Sequence, residues 1–243
     1  MNLVNRVVLV TGANRGLGRA IVTALLDAGV AKVYAASRGG EAHGHPRVVP
    51  VRLDLTIPAT IPAAAERLRD VDVVINNAGV LSGHTLLGAP DLAAAEQEMQ
   101  VNYLGPLRVI RAFAPVLAGN GGGIFVNVLS ILARVNMPVV GSYSASKAAA
   151  LSLTQGVRAE LAGQGTRVIA VMPGFIDTDM TARAQVPKVP PALVATAILD
   201  AITGDADDVY PGPAAAIADQ LRADPKAVER QFAALTTRPA SAG

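Results

Sequence analysis

The sequence predicts an α/β chain: one doubly wound parallel sheet of about seven strands with helices on both faces. Short β-branched runs alternate with Ala/Leu-rich stretches of helical length. The strand runs Val7-Val8-Leu9-Val10, Val73-Val74-Ile75 and Val168-Ile169-Ala170-Val171 are continuously apolar, the pattern of strands buried on both faces. Strand and helix take turns without a linker, repeat or low-complexity block, so residues 1–243 read as one domain.

Arg6–Val10 reads as the first strand and Gly16–Ala28 as a helix closed by Gly29. Lys32–Ala36 and Val48–Leu53 are the next strands, Ile61–Arg69 is helical, and Val71–Ile75 is the fourth strand. Leu92–Leu117 reads as one long helix, bent at Gly105-Pro106 and near Pro115, because proline withholds a backbone donor. Gly123–Leu129 is a fifth strand, Ser144–Ala162 a helix and Arg167–Val171 a sixth strand. Ala192–Thr203 is a helix and Asp207–Tyr210 a short seventh strand. Residues 211–243 differ: alanine-rich, punctuated by Pro213 and Pro225, they read as a helical C-terminal extension with a loose tail.

Composition excludes several classes. With 51% apolar and 16% charged residues the chain is not intrinsically disordered. It has no Cys, which rules out disulfides, thiolate zinc sites and thiol catalysis. The net charge of +2, the lack of Trp and the absence of a basic block argue against nucleic acid as a partner. No apolar run approaches the roughly 18 residues of a membrane span. The N-terminal run is short and lacks a cationic lead, so a cytoplasmic location is expected. His43-Gly44-His45, with Glu41 nearby, lacks convincing ligand spacing, and no metal is expected.

Between the first strand and helix lies Thr11-Gly12-Ala13-Asn14-Arg15-Gly16-Leu17-Gly18. Glycines at 12, 16 and 18 suit a dinucleotide loop, which needs a tight turn, close approach to pyrophosphate, and tight helix–strand packing. The helix N-terminus would offer N–H groups to the phosphates. An ordinary βα turn is the alternative; no Gly-Lys-Ser/Thr follows, so a P-loop is excluded. The second strand ends Ser37-Arg38, where a free ribose usually meets an acid. Arg38, with Arg15 able to point the same way, suits a 2′-phosphate, so NADP(H) is expected over NAD(H). The alternative is a solvated Arg38. Asp54, beside Leu55, either accepts from the adenine amino group or caps an Asp-Leu-Thr turn. Asn76-Asn77-Ala78-Gly79 closes the fourth strand, where a ligand crevice is expected.

Tyr143 and Lys147 lie one turn apart on a helical stretch. A nearby ammonium stabilises a phenolate and is expected to bring the tyrosine toward a useful range. Ser130 ends the fifth strand, where its hydroxyl could face the same crevice. Arg134, Met137 and Val139 either line a substrate pocket or pack the intervening loop. Singly, Ser130 also reads as a turn residue, Tyr143 as a packing aromatic and Lys147 as a solvated charge.

Taken in register, Thr11-Gly12, Gly16-Leu17-Gly18, Asn76-Asn77-Ala78-Gly79, Asn102, Ser130, Tyr143, Lys147 and Pro173-Gly174 strongly resemble the short-chain dehydrogenase/reductase (SDR) family over roughly residues 5–205. The resemblance implies an oxidoreductase of Rossmann-like fold moving hydride between NADP(H) and a ketone, aldehyde or secondary alcohol. It implies Tyr143 as general acid, Lys147 as its electrostatic partner and ribose anchor, and Ser130 as a hydrogen-bond donor to the substrate oxygen. Asn102 would hold a relay water through its backbone. Gly12, Asn14, Arg15, Gly16, Leu17, Gly18, Ser37, Arg38, Asp54, Leu55, Asn77, Ala78, Gly79, Tyr143, Lys147, Pro173, Gly174, Ile176 and Thr178 would form the cofactor site.

The stretch Pro173–Met180 is also similar to 3-oxoacyl-[acyl-carrier-protein] reductases of this family, which gives an alternative substrate; a non-catalytic NADP-binding regulator is a remote one. The lid from Asp179 to Pro191 is short and carries three prolines. Val209-Tyr210-Pro211-Gly212-Pro213 replaces the family's glycine-rich end. A homodimer through the long bent helix and the Tyr143 helix is expected, with a homotetramer as the second assembly.

Overall fold

The computed structural model describes residues 1–41 and 44–237, with the side chains of residues 236 and 237 left aside. The expected tail from Arg238 onward and His43 lie outside the described residues. Seven parallel strands form one sheet in the order β3-β2-β1-β4-β5-β6-β7. They are β1 (Val7–Thr11), β2 (Lys32–Ser37), β3 (Val48–Arg52), β4 (Val73–Asn76), β5 (Gly123–Val128), β6 (Thr166–Val171) and β7 (Asp208–Val209). The winding reverses between β1 and β4, the switch point beside which open α/β sheets bind ligands.

Helices cover both faces, as the continuous apolar strands require. Val8, Val10, Val33, Ile75, Val126 and Ile169 face α1 (Gly16–Asp27) and α6 (Pro191–Thr203), meeting Ile21, Leu25 and Ile198. Leu9, Val74, Phe125 and Val168 face the other way. There they meet α2 (Thr60–Arg67), α4 (Gly105–Gly119) and α5 (Gly141–Leu161) through Ile61, Phe113, Leu117 and Val157. This is the period of two in a strand, with both faces buried.

The stretch expected as one bent helix is interrupted earlier than the prolines suggested. It comprises α3 (Ala93–Met99), a π-helical turn over Gln100–Leu104, and α4. Helical backbone runs on from the π turn into α4, with Gly105 N–H bonded to Gln100 O, and Pro106, which has no N–H to give, stands in the first turn of α4 directly after the π turn that contains Asn102. Pro115 lies inside α4. Beyond β7, α7 (Ala214–Ala223) and α8 (Pro225–Ala233) fold back onto the connection that follows β5. Asp224 caps α8 by accepting from the Ala227 N–H at 2.9 Å.

Candidate active site

At the switch point, the loop after β1 is locked to the end of β4. Asn77 Nδ2 donates to Thr11 O at 2.9 Å and Gly12 O at 3.2 Å. Thr11 Oγ1 accepts from the N–H groups of Asn77 and Ala78. The amide of Asn77 is therefore spent on holding the loop. Gly12 has φ +65°, and a Cβ there would stand 2.9 Å from Ala78 Cα. At Gly18 a Cβ would stand 2.0 Å from Gly12 O, so helix and loop meet closer than any side chain allows. Across the crevice Thr178 reaches the loop: a Cβ on Gly16 would touch its Cγ2 at 3.3 Å. Leu17 is buried beneath. Gly174 faces open space. This glycine cradle, two loops meeting at a helix N-terminus, fits a dinucleotide pyrophosphate.

The segment beyond Pro173 is stapled at its base. Asp177 N donates to Val189 O and Val189 N to Phe175 O, each at 2.9 Å, and Ile176 forms a bridge with Val189. Thr181 Oγ1 donates to Ile176 O. Pro173 O accepts from Ile131 N at 2.9 Å, joining this segment to the turn after β5.

At the end of β2 the arginines part company. Arg38 is exposed and lies near enough to Asp54 to help lower its pKa. Arg15 Nη1 instead pairs with Asp179 at 2.9 Å, not toward Arg38 as the sequence allowed. Both side chains of that pair are over two-thirds exposed, so it contributes at most about 1 kcal/mol and does not lock the guanidinium. Ser37 Oγ accepts from Gly40 N at 2.9 Å and donates to the Glu41 carboxylate. Asp54 Oδ1 accepts from Thr56 N at 2.9 Å and Thr56 Oγ1 at 2.7 Å, the turn-capping alternative. That hydrogen bonding, above all, lowers its pKa. Leu55 packs on Gly105 at the head of α4.

The second half of the crevice gathers Asn102, Ser130, Tyr143 and Lys147. Asn102 brackets Val80, accepting from its N–H and donating to its C=O, both at 2.9 Å. It also donates to Ser146 Oγ at 3.0 Å. A Cβ on Gly79 would lie 3.2 Å from Asn102 Oδ1 and 3.6 Å from Lys147 Nζ, so this turn adjoins both. Lys147 Nζ donates to Val128 O at 3.0 Å and lies 5.7 Å from the Tyr143 ring centre. Ser130 caps the turn after β5 by accepting from Leu132 N at 3.1 Å.

The electrostatics correct one expectation. Tyr143 is not drawn down by Lys147 but pushed up to about 12. Burial is the main cause; the Ser130 hydroxyl pulls the other way and the Glu98 charge adds to the rise. Burial also lowers Lys147 to about 8. The physical reason is common to both: a dry site disfavours whichever form is charged.

Tyr143 sits in an apolar cluster with Ile131, Leu132, Val135 and Met137. Leu81, Val139 and Phe175 pack against it. Leu221 of α7 with Val228 and Phe232 of α8 complete it. Arg134 Nη1 donates to Tyr210 Oη at 2.7 Å. These C-terminal walls were missed because their partners are some ninety residues away in sequence. Glu98, buried one turn before Asn102, was missed too; an acid on a buried helix face was its available signal.

The comparisons agree with this arrangement. A family model described as short chain dehydrogenase matches residues 6–188. The chain therefore belongs to the short chain dehydrogenase family. It is 36% identical over 194 residues to 2-(R)-hydroxypropyl-CoM dehydrogenase of Xanthobacter autotrophicus, covering 73% of this chain and 77% of that one. It is 34% identical over 197 residues to the short chain dehydrogenase tazN of Aspergillus terreus, covering 74% of this chain but only 43% of that longer protein. A short chain dehydrogenase from Burkholderia cenocepacia, solved in complex with NADP, superposes with TM-score 0.92 at 47% identity, over 96% of this chain and 99% of that one. One from Burkholderia phymatum, solved with NAD, gives TM-score 0.80 at 25% identity, covering 95% and 96%. Among the described residues no helix is long and apolar enough to cross a membrane.

Proposed function

We infer that this member of the family is an NADP(H)-dependent carbonyl reductase, or alcohol dehydrogenase in reverse, acting on ketones and aldehydes of modest polarity. The observation that carries the reading is the buried meeting of Ser130, Tyr143 and Lys147 at the carboxyl end of β5 inside an apolar wall. A nicotinamide held in this crevice would supply hydride to the carbonyl carbon. Tyr143 would give its proton to the carbonyl oxygen, so that carbonyl, hydride and this proton together make the alcohol and Tyr143 is left as phenolate. Ser130 donates a hydrogen bond to the same oxygen. Lys147 places positive charge where the phenolate forms. The side chain of Asn102 is fully engaged, so any part it plays in proton supply runs through its main chain.

Arg38 and Arg15 favour a 2′-phosphate, and the Burkholderia cenocepacia protein was solved with NADP. The Glu41 carboxylate at Ser37 opposes that charge, which makes Arg38 the deciding residue. Met137, Val139, Phe175 and Phe232 favour apolar substrates over an acyl-carrier-protein thioester. A groove between α4 and α5, lined by Tyr103, Arg111, Ser152, Gly156 and Glu160, suits a homodimer.

Tyr143→Phe tests the core of this reading. It should cut turnover on the order of a hundred- to ten-thousand-fold while leaving NADPH affinity nearly intact. Near-normal turnover would remove Tyr143 as the acid. Efficiency with NADPH and NADH, measured on a panel of ketones and aldehydes before and after Arg38→Asp, tests the cofactor. Higher efficiency of the parent with NADH would end the NADP(H) assignment.

A further inference from the structure

One polar side chain interrupts the apolar run of β5, Ile124-Phe125-Val126-Asn127-Val128. Asn127 is almost completely buried, and so are the two side chains that it bonds. From the neighbouring β4, Asn76 Nδ2 donates to Asn127 Oδ1 at 2.9 Å. On the helix side, Asn127 Nδ2 donates to Thr154 Oγ1 of α5 at 2.9 Å. Thr154 Oγ1 donates in turn to Ala150 O at 2.7 Å, which leaves its lone pairs for Asn127.

A leucine and a valine would fill the same space and bury more apolar surface. A buried polar pair adds little net stability over well-packed apolar groups; what it adds is direction, because a hydrogen bond tolerates far fewer geometries than apolar contact. The place of this pair gives direction a use. Thr154 comes seven residues after Lys147, about two turns along the same face of α5. Lys147 Nζ donates to Val128 O at 3.0 Å, and Val128 is the residue next to Asn127. The end of β5 therefore ties α5 at two points, with Tyr143 one turn beyond the second. The tie runs on into the other half of the crevice. Asn76 precedes Asn77, whose amide holds Thr11 O and Gly12 O.

We propose that Asn127 and Thr154 are positioning residues: their hydrogen bond fixes how far α5 sits along β5, and so holds Tyr143 and Lys147 in register with the cofactor crevice. Without it, α5 still packs on the sheet through Leu151 and Val157. Only the bond from Lys147, on a long flexible stem, then resists a small slide. Proton and hydride must reach one carbonyl together, and a misplacement of about 1 Å costs on the order of a hundredfold in rate. This inference rests on the reading of Tyr143 as proton donor.

Thr154→Val removes the bond at nearly constant volume, and Thr154→Ser keeps the hydroxyl. The readout is the single-turnover rate of NADPH consumption on the ketone of the panel that turns over fastest. In Thr154→Val this rate should fall roughly ten- to hundredfold while NADPH affinity holds. Thr154→Ser should recover most of the rate. The double variant Asn127→Leu/Thr154→Val should lose no more than Asn127→Leu alone, because one bond serves both residues. If Asn127→Leu does not fold, the two Thr154 variants decide. A Thr154→Val at the parent rate overturns the proposal, as does a Thr154→Ser as slow as Thr154→Val. NADPH affinity that falls along with the rate does so too, since it marks a general loosening. A crystal structure of Thr154→Val reads the register without turnover: α5 should be displaced along β5, and an undisplaced helix sinks the idea. A slow Tyr143→Phe beside a fast Thr154→Val ends this proposal and spares the functional reading. An active Tyr143→Phe ends that reading, and the position of α5 in the crystal still decides this one.

Discussion

Around Gly12, the crevice is assembled from two short segments at the switch point: residues 11–18 after β1 and 76–79 after β4, tied by Asn77 and Thr11. Around Tyr143 it is assembled from distant pieces: the 131–143 connection, Leu81, Phe175, and α7 and α8 from the far end of the chain. The first region is defined by backbone geometry and glycine, the second by apolar side chains meeting across the fold. One kind of site is suited to a ligand with a fixed diphosphate. The other can change its wall, and so its substrate, without disturbing the first.

The largest expected effect that separates the two regions comes from Phe232→Ala. Removing this buried ring should destabilise the protein by about 3–5 kcal/mol. Turnover of a ketone should fall while NADPH affinity holds, as read by thermal melts, kinetics and a binding titration. If NADPH affinity falls as far as turnover, the two ends are not separable. Gly18→Ala probes the opposite end. Its Cβ would meet Gly12 O at 2.0 Å, so backbone must move. We expect a loss of about 1–3 kcal/mol, seen as roughly ten- to hundredfold weaker NADPH binding by fluorescence titration.

A pH profile sharpens the contrast further. Burial lowers Lys147 to about 8 and raises Tyr143 to about 12. Above pH 8 the ammonium therefore loses its proton while the phenol keeps its own. The efficiency of reduction should be level through neutrality and fall roughly tenfold per pH unit above about 8. Lys147→Met should lack that fall; a parent profile level to pH 10 would remove the charge of Lys147 from the reaction. The smallest effect is expected from Arg15→Ala. Breaking its exposed pair with Asp179 should change stability by less than about 1 kcal/mol in a denaturant melt. A larger loss would mean that the pair braces the cofactor loop.

Much of the first region, and the central pair of the second, was legible in the residues. The glycine spacing, the continuous strands and the Tyr143–Lys147 interval are local patterns, and the seven-stranded order follows them. The helix break was placed at Gly105-Pro106 because proline is a strong local signal; it falls immediately before them, as a π turn over Gln100–Leu104, a form that the local apolar pattern does not announce. The capping of Asp54 was readable as one of two local alternatives. The direction of Arg15 was not, because Asp179 lies on another loop.

The order of residues by itself determined the parallel sheet, the glycine turn and the presence of a phenol and an amine one helical turn apart. These follow from backbone preference and from apolar periodicity within a few residues. Only the tertiary structure decided that both groups are buried, that Glu98 is buried against the loop after β4, and that α7 and α8 join the apolar cluster around Tyr143. Burial and charge at a point are sums over atoms brought together from the whole chain, and no short stretch of sequence contains that sum.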